Sequence, residues 1–328
     1  MLEIFRTENY FMIQSNYMKK LFFTVKNYLK KPKILITHNG KFHTDDVLAY
    51  AILLKIFKLS GERFKLIRTR DESIIEKGDI VFDIGNIYDP RINRYDHHQK
   101  GHAGERENTI PYAAAGLVWK QFGPQLCSSK EVWQAIDKSL VQPIDAGDNG
   151  VSTYTPNSLG VKNFSIGDVI DCFIPDYEDA PLKAYDKAFI KAGKLMEFIL
   201  TKTITKAERK IKNIAEAAVV YEQSPNKQII VCEKYIPGIK KLLTAFPEPL
   251  YAIYPDQNNK WRVEGVRTNP DNFPIRKNLP EEWGGLRDDD FIKICGIPDA
   301  TFCHPGLFTA GSKTKEGAIA LAEKAVSA

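Results

Sequence analysis

All six histidines of the chain lie in short runs with aspartate or glycine: His38 and His43 in THNGKFHTDD, His97, His98 and His102 in YDHHQKGH, and His304 in FCHPGLFTAGSKT. Imidazole and carboxylate together suit manganese, iron, zinc or magnesium, and a pair of such ions suits hydrolysis of phosphate esters. The chemistry indicated is that of a metal-dependent hydrolase.

His43 and Asp45 flank a single residue in a tight loop, so both can converge on one ion, with His38 approaching from the end of a strand. Asp45 and Asp46 also open a helix, where negative charge is favoured by the macrodipole. Capping accounts for one aspartate; it does not account for two histidines around Gly40. Asp83 ends the apolar run VFDIG, where a carboxylate is costly unless paired or bound to a cation. In Asp96-His97-His98 neighbouring side chains cannot all face one way. His97 is expected on a metal, His98 on a second ion or the substrate, and Asp96 on a ring nitrogen that it orients. His102 reads as a surface-loop histidine. IDAGDNG places Asp145 and Asp148 at a helix end, an ordinary turn signal; Asp145 is the stronger candidate ligand, with Asp46 and Asp148 in supporting places.

These motifs need a scaffold that brings them together. KILIT from Lys33 is a β-type run ending at His38, and DDVLAYAILLKIF after it has helical spacing, with Thr44 as N-cap. RFKLIRT, DIVFDIG and INRYDHH read as further strands, and PYAAAGLVWKQF and KEVWQAIDKSLVQPIDAG as helices. Chemistry at successive strand ends is where open α/β sheets place their sites, so residues 33–190 are expected to form an α/β domain with a mainly parallel sheet flanked by helices. Residues 151–180 read as a long loop or insertion, and helical spacing from about 181 implies a connecting helix, assigned to 191–222. After it, QIIVCE, LYAIYP and WRVEGVR are short strands and TKEGAIALAEKAVS a last helix, which gives a smaller α+β domain over 223–328. In CHPGLFTAGSKTKEGA the Gly-rich stretch before that helix is expected to cradle a phosphate through Gly311, beside Lys313 and His304. Arg276 and Arg287 are candidate phosphate partners.

With 43% hydrophobic and 27% charged residues, the chain is neither membrane-embedded nor disordered by composition. Residues 1–32 are an N-terminal extension in which KKLFFTVKNYLKK could form an amphipathic helix. A cleavable leader there is the less favoured reading. The five cysteines are scattered and never form CxxC, which argues for a reducing compartment without disulfides. A net charge of +5 does not by itself make a nucleic-acid binder, but residues 181–243 hold 13 Lys/Arg against 6 Asp/Glu. A basic wall of that kind suits a polyanion.

THNGKFHTDD, FDIG, DHH and IDAGDNG, in this order and followed by WGGLRDDD and the closing CHPGLFTAGSKTKEGA, resemble the melanocyte-proliferating-gene family, also labelled metal-dependent protein hydrolases and related to the DHH phosphoesterases. The resemblance runs from about residue 33 to the C-terminus. It implies a DHH-like catalytic domain that holds two manganese ions, with magnesium, iron or zinc as alternatives. His38, His43, Asp45, Asp83, His97 and Asp145 would be the ligands, Asp83 bridging them. Asp45, Asp83, His97 and His98 would be the catalytic groups, and His98, Arg276, Arg287, His304, Gly311 and Lys313 the substrate contacts. One departure stands in the first motif, where His43 occupies the place of an expected aspartate.

The resemblance further implies a 3′-to-5′ RNA exonuclease that uses a metal-activated water, with RNA or a nucleotide as partner. The location implied is intracellular, in cytoplasm, nucleus or mitochondrion. The alternatives are a nucleotide or pyrophosphate phosphohydrolase, a peptide or amide hydrolase, and a non-catalytic RNA-binding module.

Overall fold

The structure is a computed structural model, described over residues 31–154, 160–161, 163–176 and 180–328. The amphipathic stretch expected before residue 31 lies outside the described residues. The chain divides into two compact units, one running to Glu208 and the other from Arg209 to Ala328.

The first unit holds a five-stranded sheet in the order β2-β1-β3-β5-β4. Strands β1 (Lys33–Thr37), β2 (Phe64–Arg68), β3 (Ile80–Phe82) and β5 (Arg94–Tyr95) are parallel, and β4 (Tyr88–Asp89) is an antiparallel edge. The apolar runs IVF and KILIT are short and strongly β-branched, which suits strands covered on both faces. INRYDHH forms much less strand than its residues suggest: pairing stops at Tyr95, and Asp96 to His98 leave the sheet as a loop. This release lets adjacent side chains turn in different directions.

The helices α1 (Thr44–Ser60), α2 (Glu72–Ile75), α3 (Ala114–Phe122), α4 (Lys130–Ile136), α5 (Gln142–Asp148) and α6 (Ile166–Asp171) follow in this unit. Helix α1 is buried along most of its length, from Asp45 to Leu54. Its N-cap is His43 rather than Thr44: the His43 backbone N–H donates to Asp46 Oδ1 at 3.0 Å, the reciprocal half of a capping box. Between α4 and α5 the helix passes through a π-turn at Asp137–Val141, so Pro143 sits at the start of a renewed helix rather than closing the pair.

Helix α7 (Leu182–Gln223) begins well before residue 191, because nothing from Leu182 onward breaks helical spacing. In the first unit it packs on α1 through Gly193, where a Cβ would stand 2.6 Å from Tyr50 Cε1. Phe189 meets Tyr50 and Phe42 there.

The second unit has a mixed sheet in the order β6-β7-β8-β10-β9, built from β6 (Ile229–Val231), β7 (Tyr251–Pro255), β8 (Trp261–Gly265), β9 (Ala300–Cys303) and β10 (Thr309–Ser312). Only β6 and β7 are parallel. Helices α8 (Ile239–Leu242), α9 (Asp288–Cys295) and α10 (Lys315–Ser327) complete it. The core joins Tyr251, Ile253 and Val263 to Phe291, Trp283 and Leu321. The Gly-rich stretch expected as a phosphate loop is instead the β9–β10 hairpin. No helix among the described residues is long and apolar enough to cross a membrane.

Candidate metal centre

The C-terminal ends of β1, β3 and β5 deliver His38, Asp83 and the Asp96–His98 loop to one edge of the sheet, and α1 brings Asp45 and Asp46 beside them. His38 Nε2 lies 3.1 Å from Asp83 Oδ2 and 3.2 Å from Asp46 Oδ2. His97 Nε2 lies 3.3 Å from both Asp83 Oδ1 and Asp148 Oδ2, and 3.8 Å from Asp45 Oδ2. Three sets of potential ligand atoms fall within 4.8 Å of one another: His38, Asp46 and Asp83; Asp83, His97 and His98; and His43, Asp45 and Asp148. Asp83 belongs to two of them and turns one carboxylate oxygen to each.

Buried polar atoms in a folded protein are normally hydrogen-bonded. Here Asp45 Oδ1, Asp46 Oδ2, Asp83 Oδ1 and His97 Nε2 are buried without a properly directed hydrogen-bond partner. Asp46 Oδ2 does lie within ion-pair distance of His38, but off the hydrogen-bonding direction. Lone pairs from several elements thus converge with too few donors between them, which suits a divalent cation. Burial, followed by the charges of Asp83, Asp148 and Asp46, pushes the Asp45 carboxyl well above the ordinary range. Burial opposes charge on Asp83 too, yet His38 and His97 outweigh it and hold that carboxyl below the range. Burial likewise opposes charge on His38, and there Asp46 and Asp83 raise the ring to about 10. Carboxylates crowded in this way repel one another until a cation joins them.

The surroundings fix these groups. Asp83 adopts φ of +56°, a left-handed conformation uncommon outside glycine, while its N–H donates to Tyr95 O at 3.1 Å. Asp96 Oδ1 lies 2.7 Å from His98 Nδ1 and accepts the His97 N–H at 2.8 Å, and Asp96 Oδ2 accepts from Asn86 N at 2.6 Å. Asp96 therefore orients the loop and leaves the half-exposed His98 ring charged more readily than usual, chiefly through that side-chain hydrogen bond.

Two aspartates exchange their expected places. Asp145, expected as a ligand, accepts from Gly116 N at 2.9 Å and pairs with Arg106 Nη1 at 2.8 Å. Arg106 also grips Asp137 through Nε and Nη2, at 3.0 and 2.8 Å, and lies over the Tyr112 ring. Asp148, one turn later, faces His97 and joins His43 and Asp45. Three residues apart on a helix, Asp145 and Asp148 lie on neighbouring parts of one face; Asp145 is held away from the centre by its partners, the Arg106 guanidinium and the Gly116 N–H. Asp46, expected in a supporting place, faces the centre with one oxygen.

Sequence reasoning missed Arg68 and Arg106 altogether. Arg68 is buried on Phe42 and Phe189, donates to Gly40 O at 3.0 Å and pairs with Asp186, and so braces the His38–His43 loop. A lone arginine at a strand end carries no local signal of that role. His102 lies in a turn, exposed, with φ of +57°.

In the second unit the expected phosphate cradle does not form. Gly311 is interior to β10, where a Cβ would stand 2.5 Å from Phe302 Cε1, so it serves packing. The start of α10 is satisfied internally: Thr314 Oγ1 accepts from Gly317 N, and Asp299 accepts from Thr314 N at 3.1 Å. A carboxylate at that terminus disfavours a phosphate. Lys313 is exposed and its backbone N–H donates to Asp299 O. Arg276 is engaged with the carbonyls of Pro249, Pro247 and Thr244 at 2.9, 3.0 and 3.3 Å, a structural clamp rather than a free cation. His304 Nδ1 accepts from Gly306 N, and its ring packs on Phe308. Arg287 flanks the Phe302 ring, with Arg262 closer to the same ring at 4.7 Å.

Comparisons with known proteins agree in kind. The chain is 30% identical to "MYG1 protein C694.04c" of Schizosaccharomyces pombe over 89% of this chain and 97% of that protein. It is 28% identical to "MYG1 exonuclease" of Homo sapiens over 90% and 86%. Against the solved structure of RecJ in complex with Mn2+ from Thermus thermophilus the TM-score is 0.27, with 13% identity over 93% of this chain and 54% of that one, a likeness too slight to bear on the site. Residues 34–326 match the profile described as Uncharacterised protein family (UPF0160), the family of the MYG1 exonucleases. With the strand-end ligands inside that match, the chain belongs to this family.

Proposed function

We propose that the protein is a metal-dependent phosphoesterase that removes nucleotides from the 3′ end of RNA, with two manganese ions as the preferred cofactor. One observation carries the reading: four buried ligand atoms from β3, α1 and the Asp96–His98 loop meet without hydrogen-bond partners. The exonuclease names of relatives support the choice of nucleic acid as substrate. In this reading His38, Asp46 and Asp83 would hold one cation and His43, Asp45, His97 and Asp148 another.

Divalent cations at such a site acidify the attacking water and neutralise charge on the phosphate. The chain's own groups do the rest. Asp96 fixes the ring of His98, which stays protonated above its ordinary range and can donate to a phosphoryl or leaving oxygen. Asp83, with φ held positive by the sheet, presents both oxygens at once. Mixed imidazole and carboxylate donors suit manganese better than magnesium, which prefers oxygen alone. The first unit is proposed to carry the chemistry.

Purified protein with manganese should release mononucleotides from an RNA oligomer with a free 3′ hydroxyl, and a blocked 3′ end should abolish the ladder. Turnover of pyrophosphate or a dinucleotide without RNA degradation would move the reading to a small-molecule phosphohydrolase. Cleavage confined to a peptide panel would move it to amide hydrolysis. RNA binding that survives chelation, with no turnover, would leave a binding module.

A further inference from the structure

Within the first unit an open cleft of about 1020 Å³ reaches from the metal centre to residues 151–154 and 163–171. His43, Asp45 and Asp148 line it together with Tyr154, Phe164 and Asp171. Among the described residues that line it there is no lysine or arginine, and Asp168 and Asp171 add negative charge. Of these described groups, those at the cation end suit a phosphate. The remainder must accept an uncharged part of the ligand.

That remainder is aromatic. Phe164 is 75% exposed and Tyr154 40% exposed, a large apolar surface left to water beside a reaction centre. Residues 165–171 are nevertheless anchored. Ser165 and Asp168 form a reciprocal capping box at the start of α6, with Ser165 N donating to Asp168 Oδ2 at 2.6 Å. At Gly167 a Cβ would lie 3.6 Å from Thr44 Oγ1, so α6 rests on the first turn of α1, the turn that carries Asp45 and Asp46. Phe164 is thus held immediately outside a capped helix that is seated on the ligand-bearing one. The planar surface also stands among groups able to meet polar edges: Asn163 and Ser152 line the same cleft.

We propose that this cleft binds the nucleobase of the terminal nucleotide, stacked on Phe164 and bordered by Tyr154, while the adjoining phosphate faces the metal centre. The assignment rests on the phosphoesterase reading for its phosphate end only. A flat, uncharged heterocycle with donor and acceptor edges matches a lining of exposed aromatic rings, carboxylates, Asn163 and Ser152. A lipid chain does not, since the carboxylates would be left facing hydrocarbon. Stacking is tolerant of base identity, so the cleft gives affinity for any terminal nucleotide rather than a sequence preference.

The test uses full-length protein loaded with manganese, and calorimetric binding of AMP and of ribose 5-phosphate to wild type and Phe164→Ala. One base stacked on an aromatic ring strengthens binding about five- to hundredfold, so wild type should bind AMP more tightly than ribose 5-phosphate by that margin. Phe164→Ala should bring AMP to the level of ribose 5-phosphate and leave the latter unchanged; circular dichroism should be unaltered because the side chain is exposed. Equal affinities in wild type, no measurable AMP binding, or an equal loss of both ligands in the variant would overturn the base site. A parallel assay with RNA separates the two readings. Base discrimination without RNA turnover would sink the exonuclease reading and keep the base site, whereas RNA turnover without discrimination would do the reverse.

Discussion

The proposed function bears most directly on two buried side chains, Asp83 and His97. Asp83→Asn keeps the shape, and asparagine tolerates the left-handed backbone, but it removes the charge shared between His38 and His97. Manganese-dependent hydrolysis should fall on the order of a hundredfold or more, since each metal contact contributes several kcal/mol in the transition state. His97→Ala should do the same. Circular dichroism of both variants should stay close to wild type, and full turnover by either would reject the assignment. Asp145 behaves differently. Burial raises its carboxyl to about 7 against the pull of Arg106 and the Gly116 N–H. In the unfolded chain it titrates near about 3.9. The protonated folded form therefore favours folding below about pH 4, and that contribution disappears as pH rises to about 7. In chelator, urea melts should show wild type losing ground to Asp145→Asn between about pH 4 and 7. An opposite or flat trend would count against the Arg106-bound, metal-free role of Asp145.

At the scale of elements, the site depends on α1 being seated deeply enough for Asp45 and Asp46 to reach the strand ends. Gly193 of α7 permits that seating. Gly193→Ala would gain about 1 kcal/mol of helix propensity, yet its Cβ would press on the Tyr50 ring, and overpacking costs about 1–3 kcal/mol. A net loss of stability is expected in thermal melts, reversed by trimming Tyr50 to leucine in the double variant; a plain gain from Gly193→Ala would show that the contact gives way easily. The strands of the first sheet were legible because β-branched runs end in functional residues: KILIT before His38, and IVF before Asp83. The strand over INRYDHH was overread, since period-2 alternation ends at Tyr95 and three polar residues follow. The β9–β10 hairpin was hidden because CHPGLFTAGS has turn residues at both ends and little alternation. Gly311 sits mid-strand for the sake of the Phe302 ring, a cross-strand contact that spacing does not encode.

For the whole molecule, the crowded carboxylates make folding and cation binding one equilibrium. Manganese at about a hundred times its Kd should add about 2.7 kcal/mol to stability per independent site, and chelation should remove it. Asp45→Asn should raise the stability of the chelated protein, because a buried like-charged group is neutralised, and should shrink the gain from manganese. Calorimetric scans with and without chelator check both; equal stability in the two conditions would leave the centre without a cation.

The sequence by itself settled the family and marked most of the residues that gather in the candidate metal centre, because histidines and aspartates at strand ends and a helix start are local facts of residue type and spacing. It also settled the parallel α/β order, which follows from short apolar strands alternating with amphipathic helices. Only the tertiary structure decided that Asp148 rather than Asp145 faces His97, that Arg68 braces Gly40, and that Arg276 clamps three carbonyls. Each of those depends on which distant charge arrives first at a buried carboxylate or carbonyl. Arg106 and Asp145 are far apart in the chain and are joined only by packing, so no local pattern announces their pairing.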